Sequence, residues 1–508
     1  MSRAQQHTRL LELPAELVHH ILTYLPPIDL PRVAASCKAL HALSIDDRLW
    51  QACINDGLPQ RILTPAPLAT FRDLYIAHHP YWFLPRNQLW FADNGPNGRL
   101  ILARYDPRRG SIVAHTITAW RGAHTLEFWD RDREVIIHSF NPQVSLDLVY
   151  PVLCLDSEKT PTNQYPSARG YASPTRYSEE VLMPALSNVG LCVSLMLCRS
   201  LRESAITQQT QIWPPLRFPS ASRTRNDSQD NFNSLGHRPT RFGEVSQETF
   251  RLHKWVVYNG RGSIPSTIAS LASSLSTFGG LAGSLGFTGP FPGFTDDNHR
   301  FPESMTTYAT LPRSCYTPTK QKPWQGIWCG DYSGHGSEFL VITQPDKEDE
   351  RALPEGMGWL RPWLRAGRSG SAVNAPSFAA SFEMPDDAVP DEESNRQAEH
   401  TTDYEDVPSG RLEAIKLTGD PNIPRGEFTF IAPDIGHEGF VRVADEEAFR
   451  GARIVRSAGH IAGRGFQEAQ YTPSQLIMVS HDRLAQFWEG FGHISFYQRV
   501  DIEALMKL

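Results

Sequence analysis

Between Leu13 and Trp50 the chain reads LPAELVHHILTYLPPIDLPRVAASCKALHALSIDDRLW, and its prolines cut every helical period short. Pro14 suits a helix start, where its missing N–H has no partner to lose, and Glu16 lies in the first turn at the positive end of the helix dipole. Leu17, Ile21 and Leu25 recur every four residues with Val18 and Leu22 beside them, which makes a broad apolar stripe. Pro26-Pro27 stops that helix. Asp29 is a candidate N-cap for a second helix with Leu30, Val33, Ala34 and Cys37 on its inner face. A third helix runs through Leu40 and Leu43, and Leu49 and Trp50 close the unit. Three helices this short cannot bury all their apolar residues among themselves, so the remainder can form an interface. The plain alternative is an ordinary small helical bundle.

A chain of 508 residues has room for about two to four domains and a full core. A hydrophobic content of 40% with 39 prolines points to long loops or disordered insertions. The net charge of −7 argues against a nucleic-acid partner, which calls for a basic field. Seven cysteines without a CxxC pair read as buried thiols in a reducing compartment. No signal-peptide pattern and no uncharged apolar run of eighteen residues is visible. The expectation is a soluble intracellular protein, cytoplasmic and/or nuclear, with no membrane partner.

The helical unit occupies 10–56, and a linker over 57–80 carries one more predicted helix at Thr70 to His79. From residue 81 the periodicity changes. Leu100 to Tyr105, the turn Asp106-Pro107-Arg108-Arg109-Gly110 and Ser111 to Trp120 predict a β-hairpin. Further strand candidates are Thr125 to Asp130, Glu134 to Phe140, Leu146 to Leu155, Val181 to Cys198 and Lys254 to Tyr258. Toward the C-terminus the candidates are Arg411 to Leu417, Glu427 to Ile431, Phe440 to Val443, Gln475 to Ser480 and His493 to Val500. Many short strands with Gly, Pro and Asp turns favour a sandwich or barrel. Polar stretches near 157–177, 260–318 and 345–408 read as disordered insertions between strands. Ile264, Ile268, Leu271 and Leu275 have helical spacing within the second, and the third holds the acidic run Asp386 to Glu393.

Leu13-Pro14, Ile28-Asp29-Leu30, Ser36-Cys37-Lys38 and Asp47-Arg48-Leu49-Trp50 together resemble an F-box. Gly326 to Leu340 (GIWCGDYSGHGSEFL) has four glycines around an apolar strand pair, and Leu412 to Pro424 (LEAIKLTGDPNIP) is a strand ending in a sharp turn. With Trp90-Phe91-Ala92-Asp93 and Arg104-Tyr105-Asp106-Pro107, these segments resemble the cyclin-D-binding domain of the F-box-only substrate receptors, in their fungal branch. The resemblance covers roughly 81–155, 181–218, 250–260, 323–345 and 410–500. It implies an α+β chain: an N-terminal three-helix F-box followed by a large antiparallel β-barrel, over 81–508, with long inserted loops. It also implies a substrate-recognition subunit of a cullin–RING (SCF) ubiquitin ligase that binds degron peptides. The partners would be a Skp-type adaptor, a cullin scaffold and a protein substrate. Adaptor contacts would come from Leu13, Pro14, Leu17, Ile21, Leu25, Leu30, Val33 and Trp50.

Loops at one barrel mouth would offer backbone N–H groups and basic side chains to an extended peptide end. Arg450 to Phe466 places four arginines beside four glycines, and an arginine can fork onto a carboxylate. Arg453, Arg456 and Arg464 are therefore substrate candidates, or else solvated strand-edge charges. Trp328 and Tyr332 are either aromatic anchors or core, and His335 lies in a glycine turn. His335 with Glu338, and His437 with Glu438, invite a metal or acid–base reading. No HExxH, G-x-S-x-G or phosphate-loop motif accompanies them. The expectation is a non-catalytic subunit with no metal and no cofactor. The alternatives are a small-ligand-binding barrel linked to an F-box and a non-degradative assembly protein. A deep apolar cavity would favour the small ligand, and a shallow polar mouth a peptide end.

Overall fold

The computed structural model describes residues 10–92, 97–122, 125–157, 177–183, 186, 191–200, 238–257, 300–332, 335–347, 352–360 and 408–507. Its N-terminal helices are α1 (Ala15–Leu22), α2 (Leu30–Ala34), α3 (Lys38–Ser44) and α4 (Asp47–Asn55). The sequence predicts three; Leu49 and Trp50, the closing residues of that reading, belong to a fourth helix over Asp47–Asn55. Asp46 starts it by accepting a hydrogen bond from the Arg48 N–H at 2.8 Å. Asp29 does stand at the N-cap of α2, but its carboxylate pairs with Arg32 at 2.8 Å and makes no cap hydrogen bond. Two further helices follow, α5 (Phe71–His78) and α6 (Phe83–Asn87). Thr70 caps α5 by accepting from the Asp73 N–H at 3.0 Å.

The strands up to residue 310 are β1 (Leu89–Ala92), β2 (Leu100–Asp106), β3 (Ser111–Trp120), β4 (Leu126–Trp129), β5 (Asp132–His138), β6 (Gln143–Leu146), β7 (Leu153–Leu155), β8 (Val181–Leu182), β9 (Leu191–Arg199), β10 (Val245–Val257) and β11 (Arg300–Thr310). All but β4 and β5 form one sheet in the order β6-β3-β2-β1-β11-β10-β9-β8, with β7 also on β3. Thereafter come β12 (Gly326–Asp331), β13 (Ser337–Thr343), β14 (Leu412–Lys416), β15 (Phe428–Ala432), β16 (Phe440–Val443), β17 (Arg453–Gly463), β18 (Gln467–Met478), β19 (Arg483–Trp488), β20 (His493–Arg499) and a last helix α7 (Ile502–Met506). β12, β13, β14, β15, β17, β18, β19 and β20 pair in sequence, each antiparallel to the next. β20 pairs back onto β12, with Cys329 opposite Gln498, and so closes an eight-stranded barrel. β5 joins β20 in parallel from outside, with β4 beyond it.

The chain is thus α+β with an antiparallel barrel, but the barrel closes within 326–499 rather than spanning 81–508. Periodicity identifies a strand without saying which sheet it enters. A signal was present in Leu100-Ile101-Leu102-Ala103, a continuous apolar run of the kind a sheet covered on both faces requires, and all four residues are buried. One face of this sheet packs on the helices through Trp50, Leu74, Phe83, Trp90, Ile101 and Phe250. The other packs on the barrel wall through Leu102, Ile117, Ile327, Val341, Ile415 and Phe496.

Two expected insertions are shorter than their sequence bounds. Residues 300–310 form β11, which lies between β1 and β10, and the β-prone run Met305 to Leu311 accounts for it. Within 345–408, Met357 and Leu360 are buried against Ile431 and Ala458. Residues 158–176, the helically spaced Ile264 to Leu275 and the acidic run at 386–393 lie outside the described residues.

Candidate docking face and barrel mouth

α1 divides its apolar stripe between two surroundings. Val18 and Leu22 are buried, while Leu17 is 51% exposed and Ile21 is exposed, about 100° round the helix from them. Leu10, Leu11, Tyr24 (75% exposed), Ile28 and Ile45 are exposed large apolar residues of the same helical unit. A concentration of this kind within 10–45 is unusual for a surface that faces only water. Pro14 is exposed and Leu13 half-buried. Leu25 and Val33 are half-buried and pack against the helix–sheet core. Leu30, fully buried, and Trp50, 3% exposed, are members of that core. The Trp50 indole N–H donates to the Ser44 carbonyl at 2.8 Å. Of the eight adaptor candidates, Leu30 and Trp50 therefore support the face from behind. Tyr24, Ile28 and Ile45, which are not among those candidates, are exposed as well, and Tyr24 is three residues beyond Ile21.

The barrel interior is filled rather than hollow. Trp328, Leu340, Ile342, Leu412, Phe430, Val455, Leu476, Leu484 and Tyr497 form one buried cluster within it. Two inward glycines allow this density. A Cβ on Gly330 would lie 2.7 Å from the Tyr497 ring, and one on Gly459 only 2.3 Å from the ring of Trp488. Trp328 thus belongs to the core and is closed to an incoming chain; its indole N–H donates to the Trp324 carbonyl at 3.0 Å.

Toward one end the interior turns polar. Leu412, Ala414 and Lys416 alternate inward along β14, and the Lys416 ammonium lies 2.7 Å from Glu338 Oε2 and 2.6 Å from Asp420 Oδ2. It also stands 4.1 Å from the centre of the Tyr332 ring, whose hydroxyl is 2.7 Å from Thr429 Oγ1. A second run of hydrogen bonds joins Tyr497, Gln486, Ser474 and Ser457 at 2.7–3.1 Å. Burial pushes the Glu338 carboxyl up to about 8; Lys416 opposes that, and the neighbouring Asp420 adds to it. Burial also opposes ionisation of Asp420, but Lys416 and the Ile423 N–H outweigh it and hold this carboxyl below its ordinary range. Asp420 further accepts from the N–H groups of Asn422 and Ile423 at 2.6 and 2.7 Å, forming the Asp-Pro-Asn turn read from the sequence.

This end carries the turns 332–337, 417–427, 463–467 and 489–492, so it gathers Tyr332, His335 and Arg464. The Gly465 N–H donates to the Pro421 carbonyl at 2.8 Å, which joins two of these turns. His335 and Arg464 are exposed and Tyr332 is half-buried. Arg453 and Arg456 lie at the opposite end of the barrel. Arg453 Nε donates to the Ile435 carbonyl at 2.9 Å, and Arg456 NH1 to the Phe440 carbonyl at 3.3 Å. They hold the 435–440 loop. His437 is exposed, and among the described residues no cluster of three metal-ligating side chains occurs. Among the described residues, no helix is long and apolar enough to cross a membrane.

Residues 10–54 match the F-box-like family, and residues 308–504 match the Cyclin D1 binding domain. The first match encloses the exposed apolar face, and the second encloses the barrel together with the end of β11. The chain is an F-box protein with this C-terminal domain. Strands β1 to β10 precede the matched span, although the resemblance read from the sequence began at residue 81. No curated protein matches the chain.

Proposed function

We propose that this F-box protein is the substrate-recognition subunit of an SCF ubiquitin ligase. F-box proteins are generally non-catalytic adaptors, and ubiquitin transfer would fall to partner subunits. This chain would contribute proximity, by raising the effective concentration of substrate near the loaded conjugating enzyme. The observation that carries the reading is the set of exposed large apolar side chains, Leu17, Ile21, Tyr24, Ile28 and Ile45, within the F-box match. A Skp-type adaptor, itself bound to a cullin, would cover it. Such a role would fall in the cytoplasm and/or nucleus.

The substrate would be taken at the polar mouth formed by Tyr332, His335 and Arg464. A filled apolar interior beneath a rim that carries the exposed His335 and Arg464 suits an extended peptide end better than a small apolar ligand. A cyclin tail is the substrate that the domain's family name suggests.

The test is co-purification with a Skp-type adaptor. Leu17→Glu combined with Ile21→Glu should abolish capture while the melting temperature stays within a few degrees of wild type, because both side chains are exposed. Undiminished capture by the folded double variant would overturn the assignment. Arg464→Glu should leave adaptor capture intact and reduce ubiquitination of a bound partner in a reconstituted ligase.

A further inference from the structure

β4 is an edge strand: among the described residues it pairs with β5 alone, with Leu126 opposite His138 and Phe128 opposite Ile136. The Thr125 carbonyl accepts from the Ser139 N–H at 3.0 Å, so residues 125 and 139 form a hydrogen-bonded pair. Bonded and non-bonded pairs alternate along an antiparallel ladder, which turns the N–H and C=O groups of Leu126 and Phe128 away from β5. The ladder is regular as far as Phe128, and its one irregularity follows. The side chains of the same two residues share a face and are 61% and 69% exposed, whereas Trp129, Val135 and Ile137 are buried on the other face. Natural edge strands are commonly blunted with lysine or proline, and Leu126-Glu127-Phe128 has neither.

This face runs into the barrel mouth. Phe128, Ile136 and His493 stand in register across β4, β5 and β20. The His493 ring lies 6.2 Å from that of His138 and 6.1 Å from that of Phe491, itself exposed in the 489–492 turn. The Ile136 N–H donates to the Gly492 carbonyl at 2.9 Å and so fixes the β4–β5 hairpin to that turn. We propose that β4 takes up an extended segment of the substrate polypeptide as an added strand, with apolar side chains at alternate positions against Leu126 and Phe128. Outward main-chain groups and exposed apolar side chains on the same two residues select a strand over a helix or a small molecule. The main chain supplies affinity, and the alternate side chains supply selectivity. With the mouth taken as the substrate site, as proposed above, recognition continues from it along the hairpin.

The test uses the full chain and a short probe peptide of alternating valine and threonine with both ends blocked. Hydrogen exchange at the amides of Leu126 and Phe128 should slow about tenfold or more with the probe at millimolar concentration. Two further probes carry N-methyl groups on alternate amides, in one frame or the other; one frame should lose this protection and the other keep it. Leu126→Thr combined with Phe128→Thr retains strand-forming residues at two exposed positions, so the hairpin persists. The double variant should bind the probe about fivefold more weakly and should ubiquitinate a bound partner less, with adaptor capture unchanged. No protection of β4, equal protection by both methylated probes, or full affinity in the double variant would overturn the proposal. Ubiquitination lowered by Arg464→Glu but not by the double variant would overturn strand addition and leave the mouth as the site. Ubiquitination lowered by the double variant alone would uphold strand addition and overturn the mouth.

Discussion

The ammonium of Lys416 lies 2.7 Å from the carboxyl of Glu338 inside a closed barrel, and a second carboxylate, Asp420, shares the same cation. One positive charge therefore serves two acids in a buried site. The acid with two backbone N–H donors, Asp420, keeps its charge, and Glu338 holds the proton.

The first prediction concerns pH. Glu338 has a folded-state value of about 8 against 4.5 when unfolded, so the folded chain binds more protons between those values. Its contribution to stability is complete below about pH 4.5 and is lost as the pH rises toward 8. Urea denaturation across this window should show the decline, and Glu338→Gln should flatten it. A slope unchanged in the variant would contradict the assignment of the proton.

His78 should act in the opposite direction at lower pH. Its imidazole is buried, with Nε2 2.8 Å from the Gly110 carbonyl, and burial lowers it from 6.5 to about 4. The unfolded chain takes up the proton first, so this contribution rises from about pH 4 to 6.5. NMR titration should find the ring of His78 neutral at pH 5.5.

Core and surface positions of the F-box should separate by stability. Leu30→Ala and Trp50→Ala empty fully packed sites and should each cost about 2–5 kcal/mol in chemical denaturation. Leu17→Ala, on the exposed side, should cost about 0.5 kcal/mol or less. Equal losses at all three would mean that the exposed side is structural.

Gly459→Val places a side chain where the Trp488 ring already lies, 2.3 Å from a Cβ. Overpacking should destabilise the barrel by about 1–3 kcal/mol or more, with a shift in Trp488 fluorescence. A change at this one site that leaves the denaturation midpoint unaltered would argue against the close approach.

Much of the secondary structure was legible because its signals are local. Ser111–Trp120 and Phe440–Val443 coincide with the strands read from alternation, and Thr70 marks the start of α5 as a capping residue should. Sheet membership was not legible, since β-branched alternation is the same in a barrel and in an open sheet. β11 was hidden by the Gly- and Ser-rich run before it. The site was half legible. Leu17 and Ile21 show both period and exposure, but burial of Leu30 and Trp50 depends on α4 and α5, which sequence spacing does not place. Lys416 was invisible because a charged residue at an inward strand position argues against itself until its two acids are seen. Arg453 and Arg456 were joined to Arg464 by proximity along β17, yet an eleven-residue strand carries its ends to opposite rims.

The side-chain amide of Gln60 donates to the carbonyl of Met506 at 2.7 Å, so a residue just past the N-terminal helices is latched to the last helix of the chain. A chain tied in this way, in the substrate-receptor role proposed above, would not let its cargo wander on a leash. The cargo would be held at a set span and bearing, and the choice of lysine for modification would then be a matter of architecture more than of chance encounter.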